Sequence, residues 1–244
     1  MSAITVVVTC RGRLTHLAQT LPKYAGKVPV VLVDYDCPDG AAEWALSLSH
    51  PDLTVLRRPA VKWHAAAARN DGLGLVRTPF TAFVDADTVA LGDFRALRPS
   101  PNAYYVAHHD GPPPRQPELM AEDWFCPSAG DDLCGFMLCP TVMARSVGGY
   151  DEGFVGWGAE DTDFRTRLAS LGLRHGRVPR GFLSFIPHGH DLRHGVGEAV
   201  AATTHVERVE LTNAKYRAKH AGLASFQPDA APCPLAKETV PACR

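Results

Sequence analysis

Short runs of β-branched and aliphatic residues punctuate the first hundred positions, separated by stretches whose apolar residues recur three or four apart. Ile4 to Thr9 (ITVVVT), Val28 to Asp34 (VPVVLVD), Leu53 to Leu56 and Phe80 to Asp85 (FTAFVD) read as strands, with Ala103 to Ala107 as a fifth. Between them, Leu14, Leu17 and Leu21 fall at helical spacing before Gly26. Ala41 to Leu48 is a second helical stretch behind the turn-like DCPDG, and Trp63 to Val76 is an Ala-rich third, despite Gly72 and Gly74. The strands are apolar throughout rather than alternating, which marks burial on both faces. Helices between successive strands are the usual connection of parallel ones. The pattern predicts an α/β fold with a mainly parallel central sheet flanked by helices.

Beyond residue 110 the texture changes. Asp110 to Pro117 (DGPPPRQP) is a loop by composition, and Cys134 to Ala144 is uncharged and reads as core. Ala159 to Leu171 is amphipathic, with Phe164, Leu168 and Leu171 on one face and Gly172 as a C-terminal stop. Leu183 to Ile186 is a strand candidate and Glu198 to Ala221 a long helix. From Phe226 the chain is rich in Pro and Ala without periodicity, so residues 226–244 are expected to form a flexible tail behind a single domain of residues 1–225.

Composition narrows the function. Among 244 residues, 25 Lys and Arg face 26 Asp and Glu, a net charge of −1 that gives no reason to expect nucleic acid as a partner. No apolar run approaches the ~18 residues of a membrane span. The first residues lack a basic stretch with a cleavage site, so no signal peptide is expected. Seven cysteines, odd in number, scattered and without a CxxC, argue against a disulfide framework and for a cytoplasmic setting.

Candidate chemistry sits at strand ends, because ligands of open parallel sheets bind beyond the carboxyl ends of the strands. The first strand ends in Thr9-Cys10-Arg11-Gly12-Arg13, the second in Asp34-Tyr35-Asp36, the fourth in Asp85-Ala86-Asp87. Two guanidinium forks suit a diphosphate. Asp34 suits a base edge or ribose, and Asp85 with Asp87 offers hard oxygen ligands to a divalent cation. A second constellation is GFVGWGAEDTD, Gly153 to Asp163. Acidic residues at a helix start favour the macrodipole, which accounts for Glu160, Asp161 and Asp163. It leaves Trp157 between two glycines unexplained, and an aromatic platform beside paired carboxylates suits a sugar. The third is His188-Gly189-His190-Asp191, where a metal role requires the D-x-D nearby; His108-His109-Asp110 reads as an exposed loop.

These residues resemble those of the GT-A-fold inverting glycosyltransferases, a Rossmann-like fold. GYDEGFVGWGAEDTDFRTRL is similar to the GWG-x-ED region of β-1,4-galactosyltransferases and chondroitin-type polymerases. RGRLTHLAQTL is similar to the galactosyltransferase R-x-R-x-x-HL opening, and AAAARNDGLGLVRTPFTAFVDADTV to the helix, strand and D-x-D of family 2 enzymes. The resemblance covers roughly residues 4 to 215, in family order. It implies residues 1–107 as a nucleotide-binding half and 108–225 as an acceptor and catalytic half. It implies transfer from a UDP-sugar donor to a sugar or small-molecule hydroxyl acceptor, with Mn²⁺ or Mg²⁺. Thr9, Arg11, Arg13, Asp34, Asp36, Arg69, Asn70, Asp85 and Trp157 are then expected at the nucleotide-sugar. Asp87 and His188, with His190 as competitor, are expected at the metal. Glu160 is expected at sugar hydroxyls and Asp161 as general base. The chain departs from the galactosyltransferases in three ways. Phe185 stands at their Met ligand, Thr9-Cys10 replaces Pro-Phe, and their membrane anchor and stem have no counterpart.

Two rival readings use some of the same residues. A nucleotidyltransferase or metal phosphohydrolase would also need Asp85, Asp87 and a basic strand end, but it leaves Trp157 unexplained. A non-catalytic carbohydrate-binding protein would keep Trp157 without needing the D-x-D. Glu160 and Asp161 are adjacent, so they do not form a glycosidase pair flanking one bond from both faces.

Overall fold

The computed structural model describes residues 3–59, 62–108, 132–155, 158–186, 202–221 and 231–235. The first strand, β1 (Ile4–Cys10), is buried along its whole length, as its unbroken apolar run requires. Parallel neighbours flank it: β2 (Val30–Asp34) on one side and β4 (Phe80–Asp85) on the other, with β3 (Leu53–Arg57) beyond β2. The connecting helices are α1 (Leu14–Thr20), α2 (Ala41–Ser47) and α3 (Ala65–Leu75).

Side chains of β1 alternate between two cores. Val6 and Val8 face Leu17, Leu21 and Tyr24, while Val7 faces Ala66, Ala68, Leu73 and Phe83. Gly72, a poor helix former inside α3, has a packing cause: a β-carbon there would collide with Val7, so the glycine lets α3 lie close on the sheet.

The second half adds β6 (Ala103–His108), β7 (Asp132–Pro140), β8 (Arg174–Arg177) and β10 (Ala231–Pro232), giving the order β10-β8-β6-β7-β4-β1-β2-β3. β7 is antiparallel to both β4 and β6, and the remaining pairings are parallel, so the sheet is mixed but mainly parallel as expected. Two short strands, β5 (Thr88–Ala90) and β9 (Leu183–Phe185), pair with each other outside the main sheet. The second half also carries three α-helices among the described residues: α4 (Thr141–Ser146), α5 (Glu160–Ser170) and α6 (Ala202–Lys219).

The uncharged stretch from Cys134 divides at Pro140 into β7 and α4. α5 buries Phe164 and Leu168, but Leu171 lies beyond its end and is exposed. Residues 231–235, which composition assigns to a loose tail, sit on the sheet edge. The Cys233 N–H donates to the Arg177 carbonyl at 2.7 Å, the Arg98 N–H donates to Pro234 at 2.8 Å, and Cys233 is buried. Gly156 and Trp157 of the GWG, and the residues around His188 and His190, lie outside the described residues.

Candidate active site

Parallel strands with a common register bring three strand ends to one rim. Thr9 lies opposite Val33 and Asp85, and Cys10 opposite Asp34. Asp34 is buried and accepts a hydrogen bond from the Cys37 N–H at 2.8 Å, which folds the following loop back over the strand end. Asp36 is exposed with φ 60°, a left-handed conformation. Thr9 is buried, and its hydroxyl finds no hydrogen-bond partner among the described residues. Arg11 and Arg13 are half-buried on either side of Gly12.

The D-x-D turn is held from three sides. The Thr20 hydroxyl donates to Ala86 O at 2.8 Å, the Tyr24 hydroxyl to Thr88 O at 2.6 Å, and the Ile186 N–H to Asp87 O at 2.9 Å. Ile186, the last described residue before His188 in the chain, therefore sits beside Asp87. Asp87 Oδ2 lies 3.5 Å from Arg13 Nη1. Phe185 packs against the core and offers no ligand atom.

On the other side, α5 opens with Glu160 and Asp161. Gly158 (φ 104°) and Ala159 (φ 64°) lead into it in left-handed conformations, and the Gly158 N–H donates to Glu160 Oε2 at 3.1 Å. Arg69, from α3, spans the gap. Its Nη2 lies 3.0 Å from Asp85 Oδ1, and its Nη1 lies 3.1 Å from both Glu160 Oε1 and Asp161 Oδ1. The guanidinium rests over the Tyr150 ring, 5.0 Å from its centroid. Its neighbour Asn70 is engaged elsewhere. The Asn70 amide donates to Tyr150 O and Glu152 Oε1, each at 2.9 Å, and accepts from the Tyr150 N–H at 2.8 Å. The structure thus brings Thr9, Arg13, Asp34, Asp85, Asp87, Glu160 and Asp161 to one rim. It turns Arg69 and Asn70 toward protein partners.

The electrostatics of the cluster follow from its ion pairs, in which Arg13 and Arg69 face four carboxylates: Asp85, Asp87, Glu160 and Asp161. Burial, and then the charge of Asp161, push the Glu160 carboxyl up to about 7 against the opposing pull of Arg69. Asp85 is raised in the same way, first by burial, with Asp87 and Asp161 adding to it and Arg69 opposing. For Arg69 burial opposes the charge, but Asp161 and Asp85 outweigh it and hold the guanidinium ionised. Two hard carboxylates on a rim with surplus negative charge fit a divalent cation, which commonly takes one or two carboxylates plus substrate phosphates. Among the described residues no third His, Cys, Asp or Glu completes a metal cluster.

Two positions that shape the candidate site or its support escaped the sequence reading. Gly135, in β7, has φ 104°, and a β-carbon there would lie 2.7 Å from Asp85 Oδ2, so this glycine makes room for the carboxylate. A glycine inside an apolar strand is the signal that could have found it. Asp163 is fully buried and receives Arg167 Nε at 2.7 Å, Lys219 Nζ at 2.7 Å and His220 Nε2 at 2.9 Å, which ties the end of α6 to α5. Its place two residues after Asp161 suggested only a helix-start charge.

Comparisons with known proteins agree with this geometry. Residues 5–95 match the family model for glycosyl transferase family 2, and residues 115–191 match that for the N-terminal domain of galactosyltransferase. The pre-mycofactocin glycosyltransferase of Mycobacterium tuberculosis is 28% identical over 214 residues, covering 77% of this chain and 43% of that protein. The chain therefore spans less than half the length of this curated relative. The catalytic domain of Drosophila β1,4-galactosyltransferase 7, solved with xylobiose, aligns with TM-score 0.54 at 15% identity over 85% of this chain and 80% of that one. A mannosyltransferase from Pyrobaculum calidifontis, solved with GDP-Man and Mn²⁺, aligns with TM-score 0.56 at 18% identity over 92% of this chain and 76% of that one. S. aureus TarS, solved with UDP-GlcNAc, aligns with TM-score 0.58 at 14% identity over 92% of this chain and 68% of that one. Such structural likeness establishes the shared fold. The chain has the GT-A fold seen in those glycosyltransferases, and two separate stretches of it match glycosyltransferase family models. The stretch similar to family 2 contains the D-x-D, and the stretch similar to the galactosyltransferase domain contains the GWG and both acids. Among the described residues no helix is long and apolar enough to cross a membrane.

Proposed function

We propose that this chain is a glycosyltransferase that moves a hexose or N-acetylhexosamine from a UDP-sugar to a hydroxyl acceptor, with a divalent cation and with inversion at the anomeric carbon. The observation that carries this reading is the meeting of the D-x-D rim with Glu160 and Asp161 across Arg69. Relatives of like fold were solved with UDP-GlcNAc, or with GDP-Man and Mn²⁺, which supports a nucleotide-sugar donor.

Asp34 and Thr9, at adjacent strand ends, orient the base and ribose, while Arg11 and Arg13 face the diphosphate. Asp87, with Asp85 beside it and His188 or His190 from the following segment, would hold the cation. When bound, that cation neutralises charge on the departing diphosphate. Trp157 and Glu160 hold the sugar. Asp161 accepts the proton of the acceptor hydroxyl as its oxygen bonds to the anomeric carbon, and the bond from that carbon to the phosphate oxygen breaks on the opposite face. The products are the inverted glycoside and UDP.

A donor screen reading UDP release, with and without Mn²⁺, followed by NMR of the product's anomeric configuration, tests this. Mn²⁺-dependent UDP release with an inverted product is expected. Release of pyrophosphate, or retained configuration, would overturn it.

A further inference from the structure

Arg69 stands in a motif expected at the nucleotide-sugar, but its surroundings assign it another duty. We propose that Arg69 is a positioning residue that holds Asp161 in line with the D-x-D rim and makes no contact with the nucleotide. The inference rests on the reading of Asp161 as general base.

Three observations support it. First, the guanidinium side chain is 4% exposed, and both terminal nitrogens are engaged by carboxylates at 3.0–3.1 Å. Its face is covered by Tyr150. Little of the fork remains to meet a diphosphate. Second, the start of α5 does not orient Asp161 by itself. Ala159, at the capping position, makes no side-chain cap hydrogen bond and is in a left-handed conformation. The Asp161 carboxylate therefore takes its bearing from α3, through Arg69 Nη1. Third, one guanidinium bonds acids from two different elements, Asp85 at the end of β4 and Glu160 with Asp161 at the start of α5. That bridge sets the distance between the cation rim and the proton acceptor. Only a planar fork reaches both directions; a lysine ammonium is a single point charge. Productive geometry at such sites has a tolerance of about 0.5 Å, and a misplacement of about 1 Å can cost ~10²-fold in rate.

The test is a double-mutant cycle of Arg69→Lys and Asp161→Asn. It measures kcat and donor KM with saturating acceptor, UDP·Mn²⁺ affinity by calorimetry, and melting temperature. Arg69→Lys is expected to lower kcat by about tenfold or more while leaving UDP·Mn²⁺ affinity within about twofold. In the Asp161→Asn background the same change is expected to alter kcat by no more than about twofold, because the residue it positions can no longer take a proton. A purely structural role would multiply the two losses and would overturn the proposal. So would a tenfold loss of UDP affinity at unchanged kcat, which would put Arg69 on the nucleotide. A fully active Asp161→Asn overturns the base assignment and this inference with it, whereas an inactive Asp161→Asn with multiplicative losses overturns this inference alone. Should Arg69→Lys fail to fold, the cycle is run in Glu160→Gln, which removes one carboxylate the lysine must satisfy.

Discussion

Glu160 is a carboxylic acid whose surroundings favour the proton it would lose in water. Its pKa in the folded protein, about 7, lies above its ordinary value of 4.5, with burial as the main cause. The native state therefore binds more protons than the unfolded chain between these limits. This contribution to stability is fully present below the unfolded value and is lost as pH rises through about 7. In the absence of divalent cations, melting temperature should fall from pH 5.5 to 8, and Glu160→Gln should fall less steeply over the same series. Parallel slopes would show that Glu160 does not titrate there. Asp161→Asn tests the neighbouring acid. Turnover is expected to drop ~10²–10⁴-fold with UDP·Mn²⁺ affinity near wild type. A helix-start charge worth only ~0.3–1 kcal/mol would instead leave turnover intact. The meeting of four acids at the candidate site was legible because each follows a strand or opens a helix in an ordered set. The protein partners of Arg69 and Asn70 were not. Arg69 bonds an acid 91 residues away and the Asn70 amide a backbone 80 away, and neighbours so distant in the chain depend on how α3 is rotated on the sheet.

At the level of elements, two glycines differ in what they do for the site. Gly135→Ala should lower stability by about 1–3 kcal/mol through its positive φ and its contact with Asp85, and should weaken Mn²⁺-dependent UDP binding. Gly74, in α3, has open space where a β-carbon would go and no positive φ, so Gly74→Ala should stabilise by ~0.5–1 kcal/mol and leave binding unchanged. Thermal melts and calorimetry on both variants check the contrast. Asp163→Ala should cost about 3 kcal/mol, because Arg167, Lys219 and His220 all lose their common acceptor; an unchanged denaturant midpoint would contradict it. The helices and strands of the first hundred residues were readable because apolar positions dominate them. β8 was not, because its sequence RHGR is polar on its face, and the segment from Cys134 was ambiguous because an uncharged run suits a strand or a helix equally.

For the whole molecule, residues 231–235 are part of the fold. Removing residues 226–244 should expose the edge of β8 and forfeit the Cys233 burial with two edge hydrogen bonds, about 2–3 kcal/mol or roughly 5–10 °C in Tm. A loose tail would leave Tm unchanged. The placement of β7 has a further consequence, in the order of synthesis. β4, β1, β2 and β3 are neighbours in the sheet and all come from the first 85 residues, so they can assemble early on the ribosome. β6 is made next, yet it joins the sheet only through β7. The nascent chain therefore carries β4 with one bare, apolar edge over the roughly 55 residues until Pro140 emerges, about 3–11 s at ~5–20 residues per second. Such an edge is a template for pairing with other chains. The single reversed strand of the main sheet should thus make the yield of folded protein depend on how promptly the ribosome delivers residues 132–140.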